Sequence, residues 1–556
     1  MKVNKILVAA AVAFGSLVTL NSCITEPLPQ TSTITESQLA SSSAGVESML
    51  KGLPSSLLLP SMGMGEHTDF GYHGVLVFND HAAKVISNTG WVNGQPEAYN
   101  RFYAPAWGWW YNSDSYTPAL LWNTYYPLIK SCNDLISSVG DEELHTTSRG
   151  IAKTFRALCY LDMARHFEAL PATAPNIGDS YTTQVLNVLG LTVPLVTENT
   201  SEQDATNNPR VTREELFEFI FADLADAEAC LAEYKRDNTN YPNLAAVYGL
   251  YARAYSWLGG FESTNSENVP VGEEAYRLAA EYARMAIDTS GAAVMSEYEW
   301  TNPTTGFNTV VSAWIWALSH STDTVRGNLH AFPAHMSPEA LYGYGPLSCP
   351  AMPITLYDHM NESDFRKNVV LGPEAAYEDL NGMTVLSEEE FYEWNYAPYT
   401  CFKFRPNAGE TTDYMVANAV SLPLMRVEEM YFIEMESIAH YDEGTANNLL
   451  QQFMRAYRDP YYVNTETDLV TEIIMQKKIE FWGEGIVMFD MKRLNMGVNG
   501  VDNENFSPNA YIKHDSRLPW WNMPLPLSEL QVNTGIPSEL NNPNAQMGVI
   551  PEVIEE

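Results

Sequence analysis

Trp107-Gly-Trp-Trp-Tyr-Asn-Ser-Asp114 is the segment whose residue types come nearest to a binding surface. Three tryptophans in four positions with one glycine follow neither a helical nor a strand period, so the rings do not line one face of an element. Indole rings stack on the flat apolar faces of sugars while amides and carboxylates take hydroxyls. The segment therefore reads as a stacking platform of Trp107, Trp109, Trp110 and Tyr111 with Asn112 and Asp114 beside it. A buried plug beneath the loops is the competing reading for any single ring. Further candidates are Trp91 with Asn93, Trp300 and Phe307, and Tyr342-Gly-Tyr344. Trp122, Tyr126 and Ile129 keep helical spacing and read as core, whereas Trp314 and Trp316, alternating about Ile315, read as a buried strand.

Catalytic and metal chemistry find weaker support. Asp162 falls within about 20° of the line through Ile151 and Phe155 at helical spacing, which turns it toward the packed side. A lone buried carboxylate could be a catalytic acid, but unpaired burial is costly, and Arg156, Arg165 and Lys492 are candidate scaffold partners. Glu480 and Glu484 stand four apart with Asp490 following, as a glycosidase pair could. Such pairs straddle a cleft from different elements, and the Gly483/Gly485 turn marks a helix end. His67, His73 and His81 share a stretch with Asp69 and Asp80, yet neither H-x-x-x-H nor H-E-x-x-H occurs. Asn361 to Asp364 and Asp502 to Asn505 offer oxygen ligands without a glycine-centred calcium loop. No G-x-S-x-G, P-loop or G-x-G-x-x-G is present. The expectation is a binding protein with no catalytic residue, no metal and no cofactor.

The first residues bear on the compartment. Lys2 and Lys5 precede an apolar run from Ile6 to Leu20, closed by Asn21-Ser22-Cys23. A basic start, a short apolar core and small residues before a cysteine describe a secretory lipoprotein signal over residues 1–22, with Cys23 as the lipidated residue. Two or more acyl chains anchor stably. Residues 23–43, with Pro27 and Pro29, read as the anchor and a flexible tether. The net charge of −38 becomes −40 once Lys2 and Lys5 leave with the leader, which argues against nucleic acid and anionic membrane surfaces as partners. Aromatic residues at 12%, 13 of them tryptophan, are abundant for so acidic a chain and suit a stacked ligand. Cys132, Cys159, Cys230, Cys349 and Cys401 lack metal-like spacing; the first three lie in helical patterns and read as core.

The elements that must carry these residues are mainly α-helical. Thr212 and Glu215 form a capping box before an apolar stripe of Leu216, Ile220, Leu224, Ala227 and Leu231, predicting a helix over 212–234. Similar patterns cover about 120–139, 147–169, 243–258, 273–288, 426–441, 446–457 and 469–482. Short connections predict antiparallel pairs, and Ala245–Leu258 followed by Ala275–Ile287 looks tetratricopeptide-like. Helical scaffold is expected at about 44–60, 120–290 and 420–500, with loop-rich parts at about 61–119 and 300–420. Stretches that long without periodicity are usually functional or form a subdomain.

Several segments together resemble the SusD/RagB family of outer-membrane nutrient-binding lipoproteins. They are Gly150 to Pro171, Leu191-Thr-Val-Pro-Leu-Val-Thr197, Pro209 to Leu216, Leu422 to Met430, Glu480 to Arg493, and Trp521 to Glu529 with Asn541-Asn-Pro-Asn544. Their shared order spans residues 1–546. Val487 stands where the family usually has Arg, Gln476 where it usually has Glu, and His166-Phe-Glu168 replaces an apolar-Phe-Gly. The resemblance implies one domain over 44–556, with tetratricopeptide-like helix pairs as scaffold and a large, irregular, loop-rich ligand-binding face. It further implies a surface-exposed outer-membrane lipoprotein that passes an oligosaccharide, or a peptide in the RagB branch, to a SusC-like TonB-dependent barrel. A surface glycoside hydrolase is the reading from another class.

Overall fold

In a computed structural model that describes residues 43–62, 67–87, 112–172, 179–465, 468–500, 505 and 513–544, helices dominate. In chain order the principal ones are α1 (Ser43–Leu58), α2 (Tyr72–Ala82), α3 (Tyr116–Val139), α4 (Thr146–Phe167), α5 (Arg213–Leu231) and α6 (Leu244–Gly259). They continue with α7 (Gly272–Ser290), α8 (Val427–Ala439), α9 (Glu443–Tyr457), α10 (Leu469–Glu480) and α11 (Val487–Arg493). Each helix from α3 to α7 packs on the next, and α8 then takes α7, α9 and α10. Some of these neighbours follow one another closely, as α3 and α4 or α8 and α9 do, whereas residues 168–212 intervene between α4 and α5 and residues 291–426 between α7 and α8.

Helix α5 shows how local sequence sets an element. The Thr212 hydroxyl accepts from the Glu215 amide at 3.2 Å, and a Glu215 carboxylate oxygen accepts from the Thr212 amide at 2.8 Å. That closes the capping box. The stripe Leu216, Ile220, Leu224, Ala227 and Leu231 is wholly buried. No helix of the described residues is long and apolar enough to cross a membrane. The five cysteines from Cys132 to Cys401 are buried as free thiols.

Three short antiparallel pairs occur among the described residues: β1 (Leu191–Pro194) with β2 (Arg210–Thr212), β3 (Trp314–Ser319) with β4 (Ser421–Arg426), and β5 (Val498–Asn499) with β6 (Lys513–His514). Ser319 faces Ser421 across the second pair, so residues 320–420 form an excursion closed at its base by β3 and β4. Trp314 and Trp316 are buried in that strand, as their alternation predicts. The excursion carries short helices at Phe332–Met336, Ile354–His359 and Glu388–Trp394 and is stitched by bridges such as Ser87 to Ala351 and Val370 to Cys401.

One expected loop is a helix. α2 lies inside 61–119, and Tyr72, His73, Gly74, Val75, Leu76, Val77, Asn79, Asp80, His81 and Ala82 are all buried. An element enclosed on every side needs no polar face, and so it shows no 3.6-residue period.

Most of the buried charges singled out by sequence are answered within the scaffold. Asp162 pairs with Arg165 and accepts from the hydroxyls of Tyr72 at 2.6 Å and Tyr125 at 3.1 Å. Arg156 instead holds Asp223 at 2.7 Å and Glu198 at 2.6 Å. Lys492 caps α4, donating to the carbonyls of Arg165, His166 and Glu168 at 2.8, 3.1 and 2.9 Å. Glu480 sits among Arg458 at 2.7 Å, Arg366 at 3.2 Å and Arg426 at 3.2 Å. Burial alone would raise its pKa, but these guanidiniums hold the carboxyl far below its ordinary range. Glu484 pairs with Lys403 at 2.6 Å and Asp490 with Lys477 at 2.6 Å. Gln476 accepts from Arg366 at 2.7 Å and donates to Glu472 at 3.0 Å.

Candidate functional site

Two glycines place the tyrosines of Tyr342-Gly-Tyr344. A Cβ on Gly343 would come within 2.5 Å of the Ala334 carbonyl oxygen, and one on Gly345 within 1.9 Å of the Ser337 carbonyl oxygen. The segment thus lies flat against the short helix Phe332–Met336. It is held there by Tyr344 N donating to Ala334 O at 2.6 Å and Gly343 N to Ala340 O at 2.8 Å. No other residue type permits so close a backbone approach.

From this ledge the half-buried side chains reach two neighbours. The Tyr342 hydroxyl donates to Asn418 Oδ1 at 2.5 Å, with the Tyr414 ring 6.3 Å away and 36% exposed. Burial, then the nearby Glu410, push the Tyr342 pKa up and keep the phenol a donor. The Tyr344 hydroxyl lies 2.5 Å from His67 Nδ1, and the His67 ring meets His330 edge-on with centroids 5.0 Å apart. Behind them His335 lies 5.2 Å from the Tyr344 ring and 4.7 Å from Phe70. Burial lowers the His335 pKa to about 4, so it stays neutral and packs as an aromatic ring. Phe332 and Phe404, 4.7 Å apart, carry the layer into the core.

The same cluster reaches the start of α3. Thr68, next to His67, donates to the Tyr116 hydroxyl at 3.3 Å, and Tyr116 is the first residue of that helix. The turn before it holds half-buried Asn112 and exposed Asp114. It is pinned from the far end of the chain: Ser113 N donates to Asn544 Oδ1 at 2.9 Å and Leu527 N to Ser113 O at 2.7 Å. Of the residues marked out by sequence, Asn112, Asp114, Tyr342 and Tyr344 lie on these two segments. Trp91, Trp107, Trp109, Trp110, Tyr111 and Cys23 lie outside the described residues.

Trp300 and Phe307 are core, each 1% exposed, and this corrects their reading as ligand contacts. Their rings pack edge to face at 4.8 Å. Three cations crowd the indole, with Lys403, Arg458 and Arg426 at 4.9, 5.2 and 5.6 Å from its centre. A ring face is the apolar surface on which desolvated cations are best tolerated, so the indole closes the Glu480 charge network. His330, His335, Asn418 and Tyr414 join the site without having been marked by sequence, since no local spacing ties them to Tyr344. His67 was marked only as a weak metal ligand. Among the described residues no group of His, Cys, Asp or Glu is placed to hold a metal. The site offers phenols, imidazoles, amides and carboxylates, which is equipment for stacking and hydroxyl recognition.

Residues 87–256 match the SusD-like family described as "Starch-binding associating with outer membrane". The fold is similar to that of a SusD-like carbohydrate binding protein from Bacteroides vulgatus, with a TM-score of 0.66 at 18% identity over 89% of this chain and 97% of that one. A SusD superfamily protein from Bacteroides thetaiotaomicron gives 0.64 at 18% identity over 90% and 99%. Surface glycan-binding protein A from the same organism, in complex with laminarihexaose, gives 0.59 at 16% identity over 88% and 97%. No curated protein matches the chain.

Proposed function

We propose, from the premise that this is a SusD-like chain, that it is a surface lipoprotein which captures an oligosaccharide and hands it unchanged to a TonB-dependent outer-membrane barrel. The observation that carries the reading is the ledge of Tyr342 and Tyr344, linked through His67 and Thr68 to the turn bearing Asn112 and Asp114. Aromatic faces and short polar groups meet there. Trp91, Trp107, Trp109, Trp110 and Tyr111 are read as further rings of the same face, directly preceding that turn or on the segment leading to it. The helix pairs are read as tetratricopeptide-like scaffold. Lipidation at Cys23 would hold the protein to the outer membrane. The Asp162, Glu480, Glu484 and Asp490 carboxylates are spent on ion pairs, which supports binding without turnover.

The test is calorimetry of the protein lacking residues 1–23 against neutral oligosaccharides, beginning with laminarihexaose, and against peptides of similar size. Stacking on one ring is worth about 1–3 kcal/mol. Tyr344→Ala should therefore weaken the bound saccharide roughly five- to two-hundredfold while the melting curve stays cooperative. Binding of peptides alone, or saccharide affinity untouched by the substitution, overturns the reading. Chromatography of the saccharide after long incubation should show no product.

A further inference from the structure

The ledge faces two ways. Tyr342 and Tyr344 are two residues apart, at most about 7 Å along the chain. Tyr344 meets His67, next to the residue that contacts the start of α3, whereas Tyr342 meets Asn418 and Tyr414 in the segment 407–418. Backbone contacts fix that segment. Ala408 and Gly409 reverse the chain with φ of 57° and 72°, and a Cβ on Gly409 would fall 2.9 Å from Val385 Cγ1 and 3.1 Å from Thr304 Cγ2. Leu341 N donates to Thr411 O at 3.0 Å, which straps the segment to the residue just before Tyr342. Asn407 Nδ2 donates to Val416 O at 3.3 Å, and the buried Asn418 amide donates to the carbonyls of Gly327 and Asn328 at 3.2 Å each. Side chains carried on so fixed a frame meet a ligand without first being ordered.

Two groups of this frame keep bonding capacity. Glu410 Oε1 accepts from Thr412 N, Thr412 Oγ1 and Asp413 N, each at 2.9 Å, while Oε2 bonds no described residue. The Asp413 and Thr412 amides, then the Thr412 hydroxyl, hold the carboxyl below its ordinary pKa, so it is ionised at neutral pH. Glu410 is half-buried, and it is the charge that bears on the Tyr342 phenol. The Tyr414 hydroxyl also bonds no described residue. Its exposed ring stands 6.3 Å from that of Tyr342, the two planes inclined at 54°. The pair of rings and the free carboxylate oxygen thus lie on the side of the ledge away from His67.

We infer that Tyr342, Tyr414 and Glu410 form a second subsite, which takes the next unit of the saccharide bound at Tyr344 and restricts it to neutral sugars. The inference rests on the reading of the ledge as a saccharide site. One unit lies against Tyr344, and its neighbour packs on the Tyr342 and Tyr414 rings and donates a hydroxyl to Glu410 Oε2. An ionised oxygen accepts a hydroxyl in a charge-assisted bond and repels a carboxylate, so a uronic acid is disfavoured at this position. Glu410 is therefore a specificity-determining residue, and Tyr414 supplies apolar contact.

The experiment is calorimetry of the protein lacking residues 1–23 with laminarihexaose, maltohexaose and hexagalacturonate at pH 7, with a melting curve for each variant. A neutral hexasaccharide should bind the parent at least tenfold tighter than hexagalacturonate. Tyr414→Ala should weaken that neutral chain at least about fivefold, the lower end of what one stacked ring contributes, and Tyr414→Phe should retain it. Glu410→Gln keeps an oxygen for the Thr412 and Asp413 donors and replaces only the free one, so the melting curve should not move while neutral affinity falls at least about fivefold. Neutral affinity that Tyr344→Ala lowers but Tyr414→Ala and Glu410→Gln leave unchanged overturns the second subsite and leaves the ledge reading standing. Hexagalacturonate binding as tightly as the neutral chains overturns the restriction to neutral sugars. Failure of both neutral chains to bind overturns the ledge reading and this inference with it.

Discussion

Asp80 is one carboxylate without an ion-pair partner in the described scaffold, and its surroundings explain how it persists. It lies wholly buried on α2, its Oδ2 accepting from the Gly485 amide at 3.0 Å and its Oδ1 unsatisfied. Burial raises its pKa from 3.8 to about 8, the Gly485 and Gly483 amides opposing the shift. The folded state therefore holds a proton that the unfolded chain has lost. The resulting stability is complete below about pH 4, declines as pH rises, and is gone above about pH 8. Asp80→Asn should remove that slope: urea midpoints measured from pH 5 to 9 should fall less for the variant than for the parent. Parallel profiles for the two proteins would mean that Asp80 is ionised in the fold. No sequence rule isolates Asp80, because its lack of a cation is a property of the packed molecule. The Tyr344–His67 contact is equally hidden, joining residues 277 positions apart.

At the scale of elements, the ledge tests whether backbone proximity positions the candidate rings. In Gly343→Ala the new Cβ would stand 2.5 Å from the oxygen and 2.7 Å from the Cα of Ala334, both backbone atoms that cannot swing aside. The segment must lift, at a cost of about 1–3 kcal/mol. The expected outcome is a loss of saccharide affinity comparable to that of Tyr344→Ala, with both rings chemically intact. Affinity equal to the parent's would separate ring position from binding. Helices α3 to α10 were legible from sequence, α5, α7 and α9 by one apolar face and the others by long runs of helical spacing, and β3 from its alternating tryptophans. α2 was not, being buried all round, and neither were the short turns of 320–420, which owe their shape to the β3–β4 closure. Trp300 misled for a related reason. Its loop-like setting in sequence suggests exposure, but the cations that enclose it come from β4, from the segment after α9 and from residue 403.

Across the whole molecule, the Glu480 network joins the excursion through Arg366, β4 through Arg426 and the end of α9 through Arg458. Removing one partner of a buried network leaves charges uncompensated, at about 3–5 kcal/mol. Glu480→Gln should therefore lower the denaturant midpoint of the entire chain in one transition. Glu47→Gln, which breaks only the exposed pair with Lys51 at 2.6 Å, should leave it unchanged. A separate early transition in Glu480→Gln would show that the excursion unfolds by itself.

The pinning of Ser113 by Asn544 sets an order of events in the cell. The two residues are 431 positions apart. At 5–20 residues per second, a ribosome that has released Ser113 needs roughly 20–90 s more to make the residue that holds it. For most of that interval the turn bearing Asn112 and Asp114 lacks both Leu527 and Asn544, so the helices are made well before the turn can be fixed. Any chain cut short before residue 527 is left in that state permanently.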